Sequence, residues 1–142
     1  MTDLDRLLVR RKLRSIVDAL ETLAEIRGLT LAEYLAHRIS RKAAERLWQQ
    51  MTEAAVDLNM HLLRVAHVKR PVDYHGSFTE AGRAGILPND LARRLAPATG
   101  MRNRLVHEYD QIDDTIVHAA IGEACELFPE YVDAVERYLA TA

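Results

Sequence analysis

The sequence predicts an all-α fold: a compact up-and-down bundle of about five helices forming one domain over residues 1–142. Three observations predict it. Apolar residues recur at i, i+3, i+4 and i+7 through several long windows, the period of a helix with one buried face. Six glycines and four prolines are too few for a turn-rich β-sandwich or a low-complexity chain. Hydrophobic residues make up 49% of the 142, enough for one substantial core.

The elements follow in order. A first helix is expected from Asp3, as N-cap, to Arg27, with Leu13, Ile16, Val17, Leu20 and Leu23 on its buried stripe and Gly28 as its stop. Thr30-Leu31-Ala32-Glu33 reads as a capping box opening a short segment that ends near His37 or merges with the next helix. A long helix is expected from Ser40 to Val68, with Leu47, Met51, Ala54, Ala55, Leu58, Leu62 and Val65 on one face. Lys69-Arg70-Pro71 ends it, because Pro71 disfavours helix at Arg70 and lacks an N–H. After a loop at 72–76, Ser77 is expected to cap a short helix through Ala84, closed by Gly85.

Pro88-Asn89-Asp90 opens a further helix, broken or kinked at Pro97 and Gly100, with a continuation from Arg102 to Tyr109. Asp113 or Asp114 caps a last helix whose stripe is Ile116, Ala120, Ile121, Leu127, Tyr131, Val135 and Tyr138. Trp48, Met51 and Met60 suit either the interior or an interface with a second subunit, the interior being favoured.

Several classes are excluded. No uncharged apolar run approaches the ~20 residues that span a bilayer. The N-terminus MTDLDRLLVRRKLRS mixes charge into its apolar positions and has no signal-peptide core, so a soluble, cytoplasmic protein is expected. The lone Cys125 rules out an internal disulfide framework and a multi-cysteine zinc site. There is no glycine-rich phosphate loop and no nucleophile elbow.

The net charge of −2 conceals an asymmetry: residues 1–104 carry 18 Lys and Arg against 12 acids, while residues 105–142 carry Arg137 alone against nine acids. Sixteen of the 19 basic residues are Arg, whose planar fork matches phosphate. This suits an anionic partner such as nucleic acid, and equally a solvated basic face beside a complementary acidic helix. Charge alone does not separate the two.

Six histidines are many for this length. Glu33/His37, Asp57/His61 and Asp114/His118 each place a carboxylate and an imidazole on one helical face, but no Glu-x-x-His of the di-iron type occurs and no metal site is expected. The segment Gly100-Met101-Arg102-Asn103-Arg104-Leu105-Val106-His107-Glu108-Tyr109-Asp110 is richer. Arg can hold a phosphate and neutralise charge that builds in a transition state. His can move a proton near neutral pH, and an amide can orient either. In a straight helix residues five apart diverge by roughly 140°, so Arg102 and His107 share a face only if the helix ends or distorts near His107, or if a second subunit supplies one of them. The alternative is a helix C-terminus with a dipole-stabilising His and ordinary Arg–acid surface pairs.

Arg102-Asn103-x-x-x-His107-x-Tyr109 resembles the R-x-x-x-x-H-x-Y motif of the HEPN superfamily, specifically its HepT-type toxins. The resemblance extends to Thr30-Leu31-Ala32-Glu33-Tyr34-Leu35, to Gly85-Ile86-Leu87-Pro88, and through Asp110-x-Ile112-Asp113. It implies a HEPN-like, all-α homodimer acting as a metal-independent endoribonuclease toxin, with both copies of the motif meeting at a cleft between subunits. Carried over by position, Arg102 binds and polarises the scissile phosphate, His107 is the general acid/base for attack by the ribose 2′-OH, and Asn103 orients the site. Tyr109 is the tyrosine that a cognate minimal nucleotidyltransferase antitoxin of the MntA type modifies with AMP, as in type VII toxin–antitoxin systems. Arg104 is a candidate RNA contact and equally an ordinary surface Arg. No cofactor is implied. Two other readings are a non-catalytic HEPN module that docks a nucleotidyltransferase or nucleotide, and a purely structural helical dimer.

Overall fold

A computed structural model describes residues 1–142. All regular structure is helical: α1 (Asp3–Arg27), α2 (Leu31–Ala36), α3 (Arg38–Val65), α4 (Tyr74–Arg83), α5 (Asn89–Leu95), α6 (Ala98–His107), a 3₁₀ turn (Tyr109–Gln111) and α7 (Asp114–Thr141). The long helices α1, α3 and α7 pack on one another, and α4, α5 and α6 close the remaining side against α3 and α7. Their inward faces form one contiguous core of 34 buried hydrophobic residues. No helix is long and apolar enough to cross a membrane.

Seven α-helices replace the expected five or so, and the differences lie at caps and breaks. Thr2, not Asp3, caps α1: its side chain accepts from the Asp5 N–H and the Asp5 carboxylate accepts from the Thr2 N–H. Threonine three residues before a carboxylate satisfies two otherwise orphaned donors at once. The box at Thr30 and Glu33 forms as expected. His37 then ends α2 and starts α3, its ring nitrogen accepting from the Ser40 N–H.

Helix α3 stops at Val65, before Pro71 can act. The Val68 N–H reaches back to the Leu63 carbonyl at 2.9 Å and the His67 N–H to Arg64 at 3.0 Å, with His67 in the left-handed region at φ 60°. That is a Schellman ending in which histidine occupies the position usually given to glycine. Gly85, at φ 77°, ends α4 the same way.

Asp73, not Ser77, caps α4, because its carboxylate receives the Gly76 N–H at 2.6 Å. Ser77 is instead buried within the helix, where its hydroxyl donates to the Tyr74 carbonyl. Pro97 separates α5 from α6, while Gly100 lies within α6 and breaks nothing. Asp113 caps α7, and Pro129 is accommodated inside that helix. Of the expected stripe of α7, Ile116 is 46% exposed, since it lines the cleft between α6 and α7. Trp48 and Met51 are buried, and Met60 is half-buried.

A polar thread runs through the core. The Tyr131 hydroxyl lies 2.7 Å from Asn59 Oδ1 and 3.0 Å from the Ala55 carbonyl, and Asn59 Nδ2 donates to Ser77 Oγ at 3.3 Å. Ser77 in turn holds the Tyr74 carbonyl at 2.7 Å. Tyr131, Asn59 and Ser77 thereby satisfy one another, and the first turn of α4 is tied to α3 and α7.

Candidate active site at the end of helix α6

Arg102 is held from three sides. Its Nε and Nη2 donate to Glu53 Oε1 on α3 at 3.0 and 2.7 Å, and its Nη1 donates to Asn103 Oδ1 at 3.3 Å. The guanidinium lies over the Tyr74 ring, 4.8 Å from its centre. Only 15% of the Arg102 side chain is exposed. A cation on an aromatic face, tied by charge-assisted hydrogen bonds, is locked in position. Glu53 takes the Nε–H and one N–H of Nη2, so Nη1, shared with Asn103, and the second N–H of Nη2 are left to meet a ligand.

His107 is the last residue of α6 and is exposed, and its ring makes no hydrogen bond within the chain. At Glu108 the backbone leaves the helix, at φ −123° and ψ 40°. The helix therefore does end where the angular argument required, but no hydrogen bond joins His107 to the Arg102–Asn103 pair. One chain orders the arginine and leaves the histidine free. Arg104 is exposed at the wall of a cleft of about 250 Å³ between α6 and α7, which it shares with Met101, Leu105, Asp113, Ile116 and Val117.

Tyr109 opens the 3₁₀ turn and is 53% exposed. The Lys42 ammonium of α3 donates to its hydroxyl and lies 4.5 Å from its ring centre. The Tyr109 hydroxyl, and secondarily the Glu45 carboxylate 3.5 Å from Lys42, hold the lysine above its ordinary pKa. The phenol is thus outward-facing with a cation already beside its oxygen.

The three acid–imidazole pairs part company. Glu33 receives the Thr30 N–H, whereas His37 caps α3. Asp57 binds Lys12, whereas His61 lies 3.0 Å from Asp5, off the direction of a good hydrogen bond. Asp114 pairs with Arg41, whereas His118 meets the Leu29 carbonyl. No three His, Cys, Asp or Glu side chains converge as metal ligands would.

The comparisons with known proteins decide the family. A family model described as "Ribonuclease HepT-like" matches residues 16–138. The chain belongs to the HepT-like family. It is 36% identical to the tRNA nuclease HepT of Aphanizomenon flos-aquae, over 99% of this chain and 96% of that protein. It is 26% identical to the mRNA nuclease HepT of Shewanella oneidensis, over 62% of this chain and 66% of that one. Its fold matches that of a tri-AMPylated Shewanella oneidensis HEPN toxin solved in complex with an MNT antitoxin, at a TM-score of 0.84 and 20% identity, over 96% of this chain and 99% of that chain.

Within this HepT-like fold, sequence reasoning missed Glu53, Tyr74 and Lys42. Glu53 lies 49 residues before Arg102, and an exposed-looking acid four residues after Gln49 carries no signal of its own. Tyr74 fell in an expected loop. Lys42 could have been suspected only as one of three lysines in a chain that otherwise uses arginine.

Proposed function

We propose that this chain, acting as a single HepT-like unit over residues 1–142 and as a homodimer in the cytoplasm, is an endoribonuclease toxin silenced by a nucleotidyltransferase antitoxin of the MntA type. The observation that carries the reading is the state of the motif: a preorganised Arg102–Asn103 pair and a solvent-facing, unbonded His107 on one short helix. The 36%-identical relative, a tRNA nuclease, supports RNA as substrate.

In this reading Arg102 Nη1 and Asn103 meet the scissile phosphate, and Arg102 neutralises the charge that builds on its oxygens. His107 takes the proton of the ribose 2′-OH; the 2′-oxygen bonds to phosphorus, the bond to the 5′-oxygen breaks, and an imidazolium returns a proton to that oxygen. The product carries a 2′,3′-cyclic phosphate, and the RNA's own hydroxyl serves as nucleophile without a metal. Pooling two motifs across a dimer cleft supports bringing an imidazole to each arginine. The exposed Leu31, Leu35, Ile39 and Ile116 offer apolar surface for such an interface. Arg104, at the cleft wall, contacts the RNA backbone.

Tyr109 is the control point. Its hydroxyl attacks the α-phosphorus of ATP bound by the antitoxin, an O–P bond forms and pyrophosphate leaves. The AMP-tyrosine places an anion two residues from His107, where it repels RNA. The Shewanella toxin solved in its tri-AMPylated form with an MNT antitoxin supports this assignment. End-group analysis tests the chemistry. Wild-type products ending in cyclic phosphate, absent with His107→Ala, are expected; products bearing a 3′-hydroxyl would overturn the 2′-OH route.

A further inference from the structure

Beside Tyr74, outside the motif, α3 and the α3–α4 connection enclose a groove of about 380 Å³. Its apolar wall is Met60, Val68 and Tyr74, and its cations are Arg64 and Arg70. Arg70 has no carboxylate within ion-pair distance, and Arg64 meets only the His61 ring, at 2.9 Å. Arg41 and Arg102, by contrast, each meet an acid, while Arg104 at the α6–α7 cleft meets none. The one acid in the groove wall, Asp57, is bound to Lys12 at 3.0 Å. The groove therefore combines two uncompensated guanidinium groups with an aromatic and aliphatic floor.

We propose that this groove is a binding track for single-stranded RNA, holding nucleotides that flank the scissile phosphate. The inference rests on the reading of Arg102 as the phosphate-holding residue. Tyr74 is the joint between the two places, since the same ring carries the Arg102 guanidinium and lines the groove. A strand lying along Arg64 and Arg70 is thereby led past Tyr74 to Arg102, where the nearest acids, Glu53 and Asp57, are already engaged by Arg102 and Lys12. Free guanidinium groups recruit phosphates by releasing counterions, and an apolar floor with an aromatic edge accepts a base of any identity. Such a track adds affinity without sequence preference.

The Schellman ending of α3 shapes the groove. It turns the chain at His67 and brings Val68 back against Leu63, so that Val68 and Arg70 face the last turns of α3. Had α3 continued to Pro71, Arg70 would have been carried further along the helix axis, away from Arg64 and Tyr74.

The test measures binding of a fluorescently labelled, single-stranded RNA by anisotropy across a salt series, with wild type beside the double variant Arg64→Gln/Arg70→Gln. Both side chains are exposed, so the fold is retained. The expected result is affinity weaker by about tenfold and a log–log salt slope shallower by about 1.4, at about 0.7 for each phosphate contact removed. In cleavage of bulk tRNA the same variant raises KM far more than it changes kcat. Unchanged affinity, or weaker affinity with an unchanged salt slope, would overturn the track. Intact RNA binding with lost binding to the nucleotidyltransferase would overturn it too, in favour of a protein-docking surface. Because binding is read without cleavage, a wild-type protein of unmodified mass that binds RNA through this groove yet cuts none would refute the ribonuclease reading and leave the track standing.

Discussion

Glu53 Oε1 receives both Nε and Nη2 of Arg102, at 3.0 and 2.7 Å, from a position 49 residues away in sequence. The edge of the guanidinium best suited to grip a phosphate in bidentate fashion is thus turned into the protein. The end of the guanidinium, with N–H groups on Nη1 and Nη2, is left to face a ligand. As held, it presents a positive charge fixed beside Asn103, oriented before any ligand arrives.

Removing the Glu53 charge should therefore weaken catalysis without unfolding the chain. Glu53→Gln is expected to lower kcat/KM by roughly 10- to 100-fold, from the ~1.5–3 kcal/mol typical of a hydrogen bond to a charged group. A direct readout of positioning is chemical rescue. Guanidinium ion should restore part of the cleavage lost in Arg102→Ala, and fail to do so in Arg102→Ala/Glu53→Gln. Rescue that ignores Glu53 would refute the cradle.

In the proposed reading, variants at Tyr109 and Lys42 separate control from catalysis. Tyr109→Phe should keep most ribonuclease activity and gain no mass when incubated with antitoxin and ATP. Lys42→Met should slow nucleotide addition, since Lys42 lies against the acceptor hydroxyl and would pair with the phosphodiester formed there. Intact-mass time courses check both. Silencing of Tyr109→Phe by the antitoxin would assign inhibition to steric cover.

The buried thread from α7 to α4 predicts a stability effect. Burial raises the Tyr131 pKa well above the usual phenol value, and its hydroxyl serves Asn59 Oδ1 and the Ala55 carbonyl. Tyr131→Phe leaves the buried Asn59 oxygen without that donor and should cost about 1–3 kcal/mol in urea unfolding. Because Asn59 holds Ser77 and Ser77 holds the Tyr74 carbonyl, the variant should also loosen the ring under Arg102. Wild-type stability would contradict the thread.

The capping box of α1 predicts a pH dependence. Asp5 lies below its ordinary value of 3.8, chiefly because it accepts the Thr2 N–H, then through the Thr2 hydroxyl, with His61 a smaller contribution. A carboxyl held lower in the folded state stabilises fully above its unfolded pKa, and the effect is lost as pH falls through the folded value. The melting-temperature gap between wild type and Asp5→Asn should thus be constant near neutrality and close below about pH 4. A gap that widened in acid would reverse the sign.

Much of this was legible in the chain. The long helices, the Thr30 box, a cap at Asp113 or Asp114 and the break at Pro97 follow from periodicity and caps, which act over four residues or fewer. What was misread has a common cause in competition between local signals. Ser77 looks like a cap, but Asp73 stands at the same spacing from a free N–H and wins. His67 adopts a left-handed conformation that glycine usually supplies, so α3 ends before Pro71 can mark it. The candidate motif, Arg102, Asn103, His107 and Tyr109, was readable through its resemblance to the family. Its supports were not, because Glu53, Tyr74 and Lys42 reach the motif through tertiary packing alone.

The most direct measurement is RNA cleavage with EDTA present by wild type and His107→Ala, each checked by intact mass. The account predicts cleavage by unmodified wild type and none by His107→Ala. Wild type that cuts no RNA at its unmodified mass, or His107→Ala that cuts at the wild-type rate, would contradict it.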